Sequence, residues 1–377
     1  MRQVNYALSR REPRKLPGEC EEHSVREAPL HISVIICTQN RVESLRITLE
    51  CLAFANRNAI RAEVIVVDNA SSDNTKNVVE SFQHRIPIRY LYESTQGVYG
   101  KSHALNRALE AGGLGDIIAV LDDDMSPQAD WFQGVAAICD RWPDKDIFTS
   151  HTYVIWPSED VPDWARSPRI QSWIFSAASL TGSDAELEDG RWFSGNHFWF
   201  RSRVLKGGRR FRDMWLTEPD FQLDLVEEGF RGVAGRGAIA GHRIQPELLQ
   251  RDIVLNRAKK TGALYAWLRL QPYRSKVKQA RLLHGHPWLG RLFCLLVYLR
   301  WRMTYFISYL YLSDASRFEH KLVAIERMTT YLELLRAANR LGDYSGSNRF
   351  RGPQRLDESG TLSVREQSPP SSNIDEQ

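Results

Sequence analysis

The stretch from Asp116 to Asp124, read DIIAVLDDD, sets five consecutive apolar residues directly against three carboxylates. A short unbroken apolar run suits a strand covered on both faces, as strands of parallel sheets are. Such a strand ends at Asp122. In open α/β sheets the ligand crevice lies beyond the carboxyl ends of the strands, where charges lose little hydration. Side chains on an extended segment alternate, so Asp122 and Asp124 are expected to face one ligand while Asp123 turns away. Two hard oxygen donors so placed suit Mg²⁺ or Mn²⁺, an ion that keeps some water and takes its other ligands from a diphosphate. The plainer reading of these residues is an acidic loop capping a helix that begins near Gln128, with Ser126 and Pro127 as start signals.

Two earlier stretches also predict strands that end on polar groups. Ile32 to Cys37 leads into Thr38, Gln39, Asn40 and Arg41, and then into a helical pattern through Leu45, Leu49 and Leu52. Strand, polar turn and helix start in that order make a ligand-binding βα turn. Glu63 to Val67 ends on Asp68 and Asn69, with Ser71, Ser72 and Asp73 capping the next helix. Asp68 is placed to accept a hydrogen bond from the imide N–H of a uracil or thymine, and its plainer role is a turn carboxylate. A third strand, Ile88 to Tyr92, precedes Gly97-Val98-Tyr99-Gly100-Lys101. The glycines permit a close turn, and Lys101 at a helix start reaches a phosphate as a point charge. The spacing is too short for a phosphate loop of the P-loop kind.

These motifs, taken in order, resemble glycosyltransferase family 2, inverting enzymes of the GT-A fold, over about residues 31 to 245. The family's first-strand pattern appears as Ser33 to Arg41, with Cys37 where a proline is usual and Gln39 where an aromatic is usual. The aspartate that holds the base falls on Asp68, and the lysine near the diphosphate falls on Lys101, ahead of Ala104-Leu105-Asn106. The Asp-X-Asp signature falls on Asp122-Asp123-Asp124, followed by Pro127 and Asp130-Trp131-Phe132. The acceptor-side loop corresponds to Phe193-Ser194-Gly195-Asn196, leading into a strand from Phe198 to Arg201. With Gly229-Phe230 setting the register, the catalytic base falls on Glu218, one methylene longer than the usual aspartate, with Asp220 as the alternative. His242 takes the position of a late histidine that completes the metal shell or contacts the diphosphate.

The resemblance implies a mostly parallel, Rossmann-like α/β sheet flanked by helices. It also implies a nucleoside-diphosphate sugar donor, bound by Thr38, Asn40, Arg41, Asp68, Lys101, Asp122 and Asp123. The metal ligands would be Asp122, Asp124 and His242. The acceptor would be a carbohydrate or a lipid-linked sugar met by Trp192, Gly195 and Asn196, with a role in polysaccharide or glycolipid synthesis. Two other classes compete with this reading. A sugar nucleotidyltransferase needs a glycine-rich loop after the first strand, and Thr38 to Arg41 has no glycine. A non-catalytic membrane-surface scaffold would have Glu218 and Asp220 pointing away from the cleft.

Tryptophans crowd the acceptor-side half, where Trp131, Trp156, Trp164, Trp173, Trp192, Trp199 and Trp215 serve as core or as sugar-stacking faces. The irregular stretch from Trp156 to Asp189 is long enough for an acceptor-binding lid.

Length and charge bound the rest. The chain has 377 residues, enough for a full core and a second region. We divide it into a disordered tail (1–29), the catalytic domain (30–246), a basic helical region (247–342) and a second disordered tail (343–377). In the helical region Arg257, Lys259, Lys260, Arg269, Arg274, Lys276, Lys278 and Arg281 accompany helical patterns from Pro246 onward. An apolar, aromatic stretch from Trp288 to Leu312 carries Arg291, Arg300 and Arg302. Each central arginine costs about 2.5 to 3.5 kcal/mol in a bilayer, so an interfacial helix on an anionic membrane surface fits better than a span. A core helix of a small bundle is the equal alternative, and a further helix runs from Arg317 to about Arg340. Net charge is only +4 and no nucleic-acid motif is present, which excludes nucleic acid as a partner. Five cysteines with neither paired nor zinc-ligand spacing, and an amino end without a signal-peptide core, point to the cytoplasm, including the inner face of the plasma membrane.

Overall fold

The computed structural model describes residues 28–180, 183–188, 191–213, 217–270, 287–311 and 313–341, with two short strands at 355–356 and 362–363. The tails assigned to 1–29 and 343–377 lie almost wholly outside these residues, as do Trp215 and the basic residues from Arg274 to Arg281.

Four strands form a parallel set, namely β1 (Leu30–Thr38), β2 (Ile60–Asp68), β3 (Ile88–Tyr92) and β4 (Ile117–Leu121), in the spatial order β3-β2-β1-β4. The same sheet continues through β9 (His197–Arg201), β6 (Ile147–Thr149), β10 (Gly232–Ala234) and β8 (Ala185–Glu186). β9 runs antiparallel to β4 and β6, and β8 antiparallel to β10, so the sheet is mostly parallel, as expected, with one reversed strand beside the acidic turn and a second at the edge. A second sheet orders β5 (Met125–Pro127), β11 (Ala240–Arg243) and β7 (Thr152–Ile155).

The period of two along β1 and β4 explains why helices cover both faces. Ile32, Val34, Ile117 and Ala119 point into one core with Leu45, Leu49 and Leu52 of α1 (Val42–Phe54) and Trp131, Val135 and Ile138 of α4 (Trp131–Arg141). Ile35, Ile118 and Val120 point into the other. There they meet Ala104, Leu105 and Ala108 of α3 (Gly100–Glu110) and Phe221 and Leu225 of α6 (Thr217–Glu227). A one-residue slip of β4 would exchange these two sets. Two other helices, α2 (Thr75–Ser81) and α5 (Pro168–Trp173), are short.

Two expectations change here. Ser126 and Pro127 do not start a helix, because they belong to β5, whose pairing with β11 satisfies their backbone, and α4 begins at Trp131. The stretch after Trp156 is not a loose lid. Trp164, Ile170, Ile174 and Phe175 pack in a third core with Ile244, with Val254 and Ala258 of α7 (Arg251–Leu270), and with Phe318 and Leu322 of α9 (Asp314–Leu341). The helical region therefore shares a core with the sheet region. Its remaining helix, α8 (Pro287–Tyr311), rests on α9. Gly262 marks how closely α7 approaches α9, since a Cβ there would lie 2.5 Å from the Glu326 carbonyl oxygen.

β9 is tied to α4 and β7 by a buried imidazole. Trp131 Nε1 donates to His197 Nε2 at 2.9 Å, and Thr152 Oγ1 lies 3.0 Å from His197 Nδ1. Burial, with nearby His151 adding, pushes the His197 pKa down to about 3. The imidazole is neutral in the fold and titrates near 6.5 when unfolded. Its contribution is therefore present above pH ~6.5 and is lost as pH falls toward 3. Below that onset we expect stability to drop by up to about 1.4 kcal/mol per pH unit from this group. His197→Gln should flatten that part of the profile in chemical denaturation, and an unchanged slope would remove His197 as its source.

Candidate active site

The carboxyl ends of β1, β2 and β4 lie side by side, because Thr38 pairs with Asp68 and β1 pairs with β4 on its other side. This brings the first turn, Asp68 and the three aspartates to one edge. Asp68 is buried, accepting from the Ser71 N–H at 2.8 Å through Oδ1 and from the Tyr90 hydroxyl at 2.7 Å through Oδ2. Each carboxylate oxygen has a further lone pair to offer. Asn40, with φ of 52°, accepts the Ser72 N–H at 2.7 Å and locks the first turn to the second.

The aspartates do not alternate as an extended strand would. β4 stops at Leu121, and the chain turns, with the Met125 N–H bonded to the Asp122 carbonyl at 3.2 Å. Asp123 and Asp124 consequently share one partner. Arg41 reaches Asp123 Oδ1 at 2.6 Å and Asp124 Oδ2 at 2.8 Å, while Thr38 donates to Asp123 Oδ2 at 2.7 Å. Burial lifts the Asp123 pKa to about 7 against the pull of Arg41. For Asp124 burial acts upward, but the hydrogen bond and charge of His242, together with Arg41, hold the carboxyl well below its usual range. His242 Nδ1 donates to the Phe175 carbonyl at 2.6 Å, so Nδ1 carries the proton there, and Nε2 lies 3.4 Å from Asp124 Oδ2.

Asp122 goes to a different partner. Lys101 Nζ sits 2.7 Å from Asp122 Oδ1 and also pairs with Glu218 Oε1. Burial opposes the charge on Lys101, but Asp122 and Glu218 outweigh it and hold the ammonium well above its ordinary pKa. Glu218 is buried in the first turn of α6 and faces Gly195, where a Cβ would lie 3.0 Å from the Glu218 side chain. The next residue, Asn196, accepts the Asp122 N–H at 3.0 Å through its carbonyl. Asp220 is engaged elsewhere. Arg212 grips it with two bonds of 2.7 and 2.8 Å and also reaches Asp224. Trp192 stands edge-on to Tyr265 of α7, with ring centroids 5.7 Å apart, and so joins the loop before Gly195 to the helical region.

Among the described residues no group of three or more His, Cys, Asp or Glu is gathered at metal-holding spacing. One buried atom nevertheless fits a cation. Asp124 Oδ1 has no hydrogen-bond partner among these residues. An ionised oxygen buried without a donor is costly, and a divalent ion relieves that cost.

Sequence reasoning missed three participants. Cys37, at the end of β1, lies within the field of Lys101, Asp122 and Glu218, and burial drives its thiol pKa up. Arg257 of α7 lies within electrostatic reach of Asp124 and Asp122, which partly offset the lowering of its pKa by burial. Its position three residues after Val254 and one before Ala258, both buried, is the only sequence signal for its placement. Arg243 anchors the acidic turn from behind. It donates to the carbonyls of Met125 at 2.7 Å, Ser44 at 2.8 Å and Asp123 at 3.1 Å. The Ser44 hydroxyl adds a bond of 2.9 Å to the Asp123 carbonyl.

A sheet ordered β3-β2-β1-β4 with a reversed strand beside β4, and an acidic turn at its carboxyl edge, defines a GT-A type protein. Residues 33–205 match the model of Glycosyl transferase family 2. It is 29% identical over 250 residues to the chondroitin synthase of Escherichia coli, covering 57% of this chain and 35% of that protein. It is 32% identical over 123 residues to the hyaluronan synthase of Pasteurella multocida, covering 33% of this chain and 12% of that one. The chain thus spans about a third or less of the length of these relatives. Among solved structures, the mannosyltransferase PcManGT of Pyrobaculum calidifontis, in complex with GDP-Man and Mn²⁺, aligns with a TM-score of 0.48 and 18% identity over 85% of this chain and 89% of that one.

Arg243→Met would leave several carbonyls of the acidic turn short of a donor. We expect a loss of about 1 to 3 kcal/mol in denaturation, only partly recovered by Arg243→Lys, whose single ammonium cannot span the set. A loss below about 0.5 kcal/mol, the size of an ordinary surface change, would mean that the hydroxyls of Ser44 and Thr48, which donate to the Asp123 carbonyl at 2.9 and 2.8 Å, hold the turn unaided.

Proposed function

We propose that the protein is a metal-dependent inverting glycosyltransferase that moves a sugar from a nucleoside-diphosphate donor to a hydroxyl of a carbohydrate or lipid-linked acceptor. Residues 30–246 form its catalytic domain and residues 247–342 extend it. The observation that carries this reading is the placement of Lys101 between Asp122 and Glu218. A strand-end carboxylate of the donor side and a helix carboxylate of the acceptor side meet at one cleft, within reach of a single ammonium.

Asp68 receives the base of the nucleotide, and Thr38, Asn40 and Arg41 shape the turn beside it. Asp122, Asp124 and His242 would hold Mg²⁺ or Mn²⁺, which neutralises the leaving diphosphate when bound. Phosphate oxygens offer Lys101 and Arg257 a stronger partner than a carboxylate shared with another group. As Lys101 moves to them, Glu218 is released toward the acceptor. Glu218 then takes the proton of the acceptor hydroxyl, the hydroxyl oxygen bonds to the anomeric carbon, and the electron pair of the breaking C–O bond leaves with the diphosphate. One displacement inverts the centre. Asp220 is less suited to be the base, because the bidentate Arg212 contact occupies both its oxygens. The chondroitin and hyaluronan synthases among the relatives support a role in polysaccharide or glycolipid synthesis. An odd number of cysteines, five, without paired spacing supports work on the cytosolic side, with peripheral attachment to the membrane.

A panel of nucleotide sugars, scored for divalent-metal-dependent release of nucleoside diphosphate, tests the reaction, and no release with any donor would overturn it. Glu218→Gln should keep donor binding and lower transfer by ~10²-fold or more, the scale of lost general base catalysis. A folded but dead Asp220→Asn beside a near-normal Glu218→Gln would move the base to Asp220. Arg257→Ala should raise the KM for the donor by about tenfold, as removal of one charge-assisted hydrogen bond does. An unchanged KM would leave Arg257 without a role in donor binding.

A further inference from the structure

One face of α8 is apolar and turned outward. Trp288, Leu292, Leu296, Leu299, Met303 and Phe306 are all exposed, Trp288 at 67% and Phe306 at 69%. They recur every three or four residues and so form a single stripe along the helix. The opposite face is the packed one, where Cys294, Val297 and Tyr298 meet Ala266 of α7 and Tyr331 and Leu334 of α9. At about 100° per residue, Arg302 falls on one border of the stripe and Arg300 on the other, and both are exposed. The helix carries no aspartate or glutamate. Its packed face satisfies the core-helix alternative, but the outer stripe is what an internal helix would not show.

We propose that this stripe is a docking surface for an anionic lipid bilayer, with α8 lying in the plane of the interface. The bordering arginines meet headgroup phosphates while the stripe enters the acyl boundary, and Trp288 in the first turn suits headgroup depth. Charge selects this occupant over a second copy of the chain. Two α8 helices face to face would set arginines against arginines with no carboxylate on either helix to pair them, and like charges across an interface are costly. No helix among the described residues is long and apolar enough to cross a membrane, so the stripe lies on the bilayer and does not span it. The assignment goes beyond the transfer reaction and does not rest on it, because its test reads binding and not turnover.

The test is flotation of the full chain with phosphatidylcholine vesicles, with and without phosphatidylglycerol, over a range of salt. We expect binding to the anionic vesicles that weakens with salt. Leu296→Glu with Phe306→Glu should reduce binding by tenfold or more, roughly the loss from two apolar side chains kept out of the acyl region. Arg300→Glu with Arg302→Glu should reduce it roughly fivefold or more per residue. All four positions are exposed, so these variants should fold, and unchanged melting would establish it. No binding by the parent chain would overturn the proposal. So would salt-insensitive binding to neutral vesicles. A lipid-free dimer that the Leu296→Glu/Phe306→Glu variant dissociates would also overturn it, because the stripe would then be covered by a second copy.

Discussion

Three consecutive aspartates at the end of a buried strand can be tolerated only if cations are brought to them, and the arrangement of those cations organises the site. Lys101 from α3 takes Asp122, Arg41 from the first turn takes Asp123 and Asp124 together, and His242 from β11 takes Asp124 from the far side. Each partner arrives from a different element. The acidic turn therefore fixes how α3, the β1 turn and the second sheet converge. Half-buried ion pairs of this sort are weak evidence for stability, since desolvation offsets much of the attraction. Their value lies in geometry. An ammonium or guanidinium that holds a carboxylate in place can also hand it over when a phosphate offers a stronger contact.

Behind the charges stands a second constraint, made of neutral acceptors. A turn that presents three side chains outward presents its carbonyls inward, and these need donors. Arg243, Ser44 and Thr48 supply them. This explains why β11, far along the chain, must pair with β5: the pairing of His242 with Met125 delivers both His242 to the front of the turn and Arg243 to its back. Adjacent residues on a strand point to opposite sides. One local alternation thus serves both the chemistry and the fold.

The helical region takes part in the site and is not merely attached to it. Its α7 brings Arg257 within the field of Asp122 and Asp124 and sets Tyr265 against Trp192. The stretch from 161 to 175 packs in one core with Ile244, Val254 and Phe318, and Trp164 meets Phe318 edge-on with ring centroids 4.8 Å apart. With α8 turning its apolar stripe outward from this same bundle, the region that brings Arg257 near the acidic turn also carries the surface we assign to a bilayer.

What the sequence determined was everything that depends on local pattern. Continuous apolar runs at Ile32 and Ile117 required strands covered on both faces, and polar residues immediately after them required a crevice at that edge. Gly195 and Glu218, which motif order puts on the acceptor side, do meet in space. Three features were decided only by the tertiary structure. Asp123 and Asp124 share Arg41 because the chain turns after Leu121, and alternation applies to extended backbone alone. Ser126 and Pro127 form a strand because β11 arrives to pair with them, whereas their helix-start signal was only a local preference. Arg257 carried no motif, and its placement depends on how Val254 and Ala258 of α7 pack with Ile244 and with Phe175, the latter about eighty residues earlier in the chain. Patterns of apolar and polar residues specify which side of an element is buried, but the partner that buries it is set by packing across the whole chain.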